Sequence, residues 1–270
     1  MRCAFKKSLI LLSLLANRGN CLNLPSGYSQ KENGVLREKD NAIMVHIPVG
    51  SYFVGSEDPL HPPEEKPLLY ARLKEYLMDQ REVSRRQYQA CVMGGGCEAL
   101  NLSFDPLLEE LPVNHVNWVQ ARSYCQWAGA DLPTELQWET AARGKSSTVF
   151  PTGIRASASL SSELVPVIAT EANEGFSVAL MSSNLSEWTL DEALMDDSGR
   201  LLPRRLQKEQ MDSRRVEDYL FQDAGSGYRI VKGGSFKTAF SSFQRASVRR
   251  GVSETLTLDW VGFRCALSLP

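Results

Sequence analysis

Six cysteines, three histidines and a set of arginines near the C-terminus hold most of the chemistry open to this chain of 270 residues. Cys3 and Cys21 lie at the N-terminal end, which leaves Cys91, Cys97, Cys125 and Cys265 in the body, an even number that permits three pairings. None of their spacings makes a CxxC redox motif or a zinc-binding set. His46, His61 and His115 are scattered, whereas an iron or zinc centre needs its imidazoles gathered at one point. Ser235 follows Gly233-Gly234 with no histidine near it in sequence, so a nucleophilic triad there would depend on tertiary contacts. Arg245, Arg249, Arg250 and Arg264 have two readings: they line a groove for an anionic or peptide ligand, or they pair with acids.

The elements that position these groups are marked by their ends. Ser84 with Gln87, and Thr134 with Gln137, have the spacing of capping boxes, and Asn117 with Gln120 can cap a helix between them. The predicted helices end near Gly94-Gly95-Gly96, at Gly129 and at Gly144. Trp118, Ala121 and Cys125 fall on one helical face. Trp118, Tyr124, Trp127 and Trp138 are expected to pack as core between the second and third helices. The phrase IMVHIPVGSYFVGS gives two strands around a Pro-Gly turn, Glu57 to Lys66 a proline-rich loop, and Leu69 to Met78 one half-buried strand. Arg200 to Asp223 mixes both charge signs and reads as a solvated surface excursion.

A 43% hydrophobic, 23% charged composition is ordinary for a soluble globular protein, and 270 residues suffice for one large domain with a substantial core or two small ones. The net charge of −2 leaves no surplus of cations for phosphates, which excludes general nucleic-acid binding. Residues 1–21 read as a secretory signal: Arg2, Lys6 and Lys7 precede the apolar run SLILLSLLA, which is too short to span a bilayer. Polar residues 22–40 read as a linker, with the folded domain at 41–270. Export implies an extracytoplasmic site, whether periplasm, cell surface or secreted, and no transmembrane span once the signal is removed. Lipid anchoring at Cys21 is the alternative, disfavoured by Arg18-Gly19-Asn20. Exported chains keep disulfides, so Cys91 and Cys97 either bridge around the three glycines or stay as half-buried thiols.

Four blocks stand in order: IMVHIPVGSYFVGS, Asp79 to Val92, LPVNHVNWVQARSYCQWAGADLPTELQWETAARG, and a C-terminal block that opens on VKGGSF and closes on GFRC. Over Asn41 to Ser268 this order resembles the formylglycine-generating enzyme family, also called sulfatase-modifying factors. The resemblance implies a single-domain, mixed α/β, irregular fold related to C-type lectins, and a disulfide between Cys125 and Cys265. Enzymes of that family oxidise a substrate cysteine through copper held by two cysteines just after Gly-Gly-Ser. The matching positions here are Thr238 and Phe243, and soft copper(I) needs soft sulfur ligands. A second family disulfide is replaced by Ala142 and Val248. Trp260 stands where an Asn is common, and Ser186 where an aromatic is common. The family's structural calcium would draw on Ser183, Leu185 and Glu187, although Leu180 replaces an upstream Asn; in the other reading Glu187 buttresses the turn without metal.

These features lead to an expectation of an exported family domain that does not generate formylglycine. It would present a groove near Ser235, Thr238, Phe243, Trp260 and Arg245 to a peptide, protein or glycan. The alternative is an enzyme of the same family, an oxidase or maturation factor for an exported partner, working through a different site without copper-binding cysteines.

Overall fold

The computed structural model describes residues 22–270 apart from 103–104, 154, 157–161, 170–174, 205–214, 218–224 and 239. Residues 1–21, expected to be a signal and containing Cys3 and Cys21, lie outside the described residues, as does most of the charged stretch at 200–223.

Local chemistry fixes the helices α1 (Arg85–Met93), α2 (Trp118–Trp127) and α3 (Glu135–Arg143), since each starts at a reciprocal capping box. At α3, Thr134 Oγ1 accepts from Gln137 N–H while Gln137 Oε1 accepts from Thr134 N–H, so two orphan donors are satisfied at once. Gly144 ends α3 at φ +65, and its Cα packs against Gly175, leaving no room for a side chain.

In chain order the strands are β1 (Tyr28–Lys31), β2 (Gly34–Arg37), β3 (Ala42–Ile47), β4 (Gly50–Val54), β5 (Leu69–Leu73) and β6 (Tyr76–Asp79). They continue with β7 (Ser186–Glu192), β8 (Arg215–Glu217), β9 (Tyr228–Lys232), β10 (Arg249–Ser253), β11 (Val261–Gly262) and β12 (Ala266–Ser268). Three sheets result, ordered β1-β2-β3-β6-β12, β4-β5-β8 and β10-β9-β7-β11. The pairs β5·β8 and β7·β11 are parallel and the others antiparallel.

Two expectations about the strands need correction. The stretch 22–40 is not a tether, because β1 and β2 form a hairpin that extends the first sheet. Arg37 at its end is fully buried, with ion pairs to Asp40 and Asp79, and Asp40 accepts the Tyr124 hydroxyl at 2.6 Å. A polar hairpin at a sheet edge has little hydrophobic pattern to betray it. Leu69 to Met78 is two strands rather than one, β5 and β6, and they belong to different sheets; the imperfect alternation marks the break between them.

One core gathers α1, α2 and β7 around Tyr88, Tyr124, Trp188 and Phe263, and it contains the Cys125–Cys265 disulfide. Cys91–Cys97 is also a disulfide. Trp118 and Tyr124 join this core and Trp127 packs at its margin, but Trp138 does not pack between α2 and α3 as expected. It lies in a second core, where α3 packs under β4, β5 and β6.

Candidate functional site

The Gly-Gly-Ser turn is fixed by close backbone approach. Gly233 has φ +79, and a Cβ on Gly234 would lie 2.3 Å from the carbonyl oxygen of Ser182. This seats the turn against the 181–187 segment, where Phe236 N–H donates to the Asn184 carbonyl at 2.8 Å. Ser235 is buried; its N–H donates to Thr238 Oγ1 at 2.7 Å, and its Oγ accepts from Lys237 N–H at 3.2 Å. Thr238 therefore closes the turn with its hydroxyl directed into the chain.

The next turn carries Phe240 and Phe243, both exposed, with ring centroids 6.4 Å apart. Phe243 faces Arg250, whose guanidinium lies 5.7 Å from its ring and 5.5 Å from the Trp260 ring. Arg250 donates to the Gly233 carbonyl at 2.6 Å and to Ser186 Oγ at 3.3 Å. This one side chain thus joins the Gly-Gly-Ser turn to the aromatic pair. Lys237 is held beside them by Asp259.

Below this surface is a fully engaged ion pair. Arg264 donates Nε and Nη2 to the two oxygens of Glu187, both at 2.7 Å, and its other N–H groups to the carbonyls of Asp79, Gln80 and Ala179. Trp138 Nε1 adds a third donor to Glu187 at 2.7 Å. Nearby, Glu82 accepts from Leu185 N–H and Asn184 Nδ2; burial, with the charge of Glu187 beside it, pushes it up to about 8. A further network spans α3. Arg249 and Arg204 reach Glu135 at 2.5 and 2.9 Å, and Lys232 and Arg204 reach Glu139 at 3.0 and 2.6 Å. Burial alone would raise Glu135, but Arg204, Arg249 and Lys232 outweigh it and hold the carboxyl down to about 2.

Neither family metal suits these residues. Copper would need thiolates, and the four cysteines among the described residues are all in disulfides, while Thr238 offers an engaged hydroxyl and Phe243 a phenyl ring. Calcium would need the Glu187 carboxylate, which is gripped on both oxygens by a guanidinium, so a second cation there would be repelled. The carboxylate that holds the turn around Asn184 and Leu185 is Glu82, whereas Glu187 is bonded to Arg264 and Trp138.

The domain family described as "sulfatase-modifying factor enzyme 1-like" matches residues 30–269. The chain belongs to that family. It is 33% identical over 147 residues to the formylglycine-generating enzyme of Thermomonospora curvata, covering 37% of this chain and 48% of the relative. It is 29% identical over 181 residues to the inactive Cα-formylglycine-generating enzyme 2 of Mus musculus, covering 59% of this chain and 50% of the relative. The chain thus spans about half the length of these curated relatives. Among solved structures, PvdO from Pseudomonas aeruginosa superposes with a TM-score of 0.62 at 19% identity, over 86% of this chain and 96% of that one, which shows a shared fold. The family fold is the mixed α/β, single-domain one expected.

Of the expected groove residues, Ser235 and Thr238 share one turn and Phe243 and Trp260 flank Arg250, which bonds that turn at Gly233, while Arg245 lies apart. That guanidinium is committed to Glu65, at 2.5 Å, and Ser247 donates to the same carboxylate. Arg249 and Arg264 are likewise paired. The four arginines are equivalent in the sequence; strand alternation puts Arg249 and Arg250 on opposite faces, and in the structure Arg249 faces Glu135 while Arg250 faces the aromatic rings. Ser186 and Phe240 gave no comparable signal.

The histidines do not converge. A cavity of about 350 Å³ is lined by His61, Arg143 and Ser247 among others and not by Ser235. His61 Nδ1 lies 2.6 Å from Ser56 Oγ, but Asp58 is 3.7 Å from Nε2, too far for a hydrogen bond, and Ser56 Oγ accepts from Asp58 N–H as a loop fastening. His46 bonds Glu75 at 2.8 Å.

No helix among the described residues is long and apolar enough to cross a membrane. Two disulfides fit an extracytoplasmic setting.

Proposed function

We propose that this protein is an exported sulfatase-modifying-factor domain that generates no formylglycine and serves as a binding module for a peptide segment of a partner. The observation that carries this is the fate of the two positions after Gly-Gly-Ser: the Thr238 hydroxyl locks a turn, and Phe243 joins Arg250 and Trp260 on the surface. Inactivity in the mouse relative of the same family, stated in its name, supports the first half. Exposed aromatic rings beside a guanidinium support the second, since tryptophan, arginine and phenylalanine are favoured anchors at binding surfaces.

Export is supported by the charged and apolar segment at residues 1–21 and by the disulfide pair. The test is selection of displayed random peptides on immobilised protein. Enrichment of a peptide family, lost in the variant Phe243→Ser with Trp260→Ser, is expected. Peptides that bind this variant as well as the parent would overturn the assignment of the surface.

A further inference from the structure

We infer that the Phe243–Arg250–Trp260 face recognises a carboxylate, carried by an acidic residue of an extended peptide, with Arg250 as its ion partner. This rests on the binding-module reading above and supplies the ligand chemistry that reading leaves open.

The first ground is the contrast among arginines. The buried side chains Arg37, Arg143, Arg204, Arg229, Arg249 and Arg264 each hold a carboxylate within ion-pair distance. Arg250 holds none among the described residues, and its two protein bonds go to the neutral oxygens of Gly233 and Ser186. A guanidinium has five N–H donors. After those two bonds, Nε–H and one hydrogen on each terminal nitrogen have no acceptor among the described residues, and Nε is buried. Burial with no offsetting charge lowers Arg250 to about 10, the mark of a cation drawn from water without an anion.

The second ground is what surrounds it. Phe243 and Trp260 crowd the guanidinium, screening it from water and strengthening any ion pair formed there. Lys237 is occupied by Asp259, so Arg250 is the cation left for a ligand. A carboxylate matches the planar guanidinium fork in shape and charge. Phe240 and Phe243, 66% and 45% exposed, offer apolar contact on the same face. An acidic residue flanked by apolar side chains meets both requirements, which favours peptide over carbohydrate.

The test follows the Arg250 Nε–H signal in ¹H–¹⁵N spectra of the chain from residue 22 onward. The probes are a capped Ala-Phe-Glu-Phe-Ala peptide, its Gln counterpart and methyl glucuronide. The Glu peptide should move the Arg250 signal and bind about tenfold or more tightly than the Gln peptide. Arg250→Met should erase that preference while leaving the backbone spectrum folded, and Arg250→Lys should retain part of it. Equal binding of the Glu and Gln peptides, or binding that leaves the Arg250 signal still, would overturn the carboxylate assignment while the binding-module reading stands. Tighter binding of the glucuronide than of the Glu peptide would overturn the peptide. Conversion of a cysteine peptide to formylglycine would instead bring down the reading on which the inference rests.

Discussion

Two arginines, Arg264 and Arg250, lie on either side of the 181–187 segment and have opposite environments. Arg264 is fully buried and directs every N–H to an acceptor, with Glu187 as its counter-ion. Arg250 is half-buried, rests on neutral oxygens and aromatic rings, and has no counter-ion among the described residues. Completeness separates scaffold from site. A closed network holds the family's fold and has nothing left to offer a ligand, whereas an incomplete one is costly to the free protein and is completed by binding. Glu187, Arg264 and Cys265 belong to the closed side, and Phe243 and Trp260 frame the open one.

The comparison breaks most visibly at Arg264. Replacing it with Met strands Glu187 in the interior, and we expect a loss of about 3–5 kcal/mol in urea denaturation, enough to threaten folding. Next is the acid limb. Glu135 is held near 2, below its ordinary 4.5, by cations that overcome its burial. The stability it contributes is therefore full above 4.5 and is lost as pH falls toward 2. Glu135→Gln should give a shallower fall over that window.

Glu82 gives the opposite slope. Raised to about 8 by burial and by Glu187, it favours the fold while protonated, so its contribution declines as pH rises from 4.5 through 8. Glu82→Gln should flatten that decline in denaturation midpoints measured from pH 5 to pH 9. The smallest effect is expected at Arg250. Arg250→Met removes no ion pair and should change stability by less than about 1 kcal/mol, measured as for Arg264→Met. A loss at Arg250 as large as that at Arg264 would erase the distinction between scaffold and site.

Much of the scaffold was legible because local chemistry writes it. Ser84, Asn117 and Thr134 mark helix starts whatever the tertiary context, and Gly144 marks an end. The pairing of Cys125 with Cys265 came from family resemblance, since four cysteines alone leave three pairings open. The β1–β2 hairpin was missed because its sequence, polar around Gly34, lacks an apolar stripe, and its anchor is a buried ion pair formed with Asp79 far along the chain. The site was half legible. Ser235, Thr238, Phe243 and Trp260 followed from the motif frame, yet nothing in the sequence told Arg250 from Arg245, because what distinguishes them is whether an acid such as Glu65 folds back to meet the guanidinium.

Absence of copper chemistry at Thr238 and Phe243 is central to the proposed function. The direct measurement is incubation of the purified protein with copper(I), oxygen and a cysteine peptide bearing a sulfatase-type sequence, followed by mass spectrometry of the peptide. We expect the cysteine to be recovered unconverted at every copper level. Copper-dependent appearance of formylglycine, retained after repurification and lost in an unfolded control, would contradict the account.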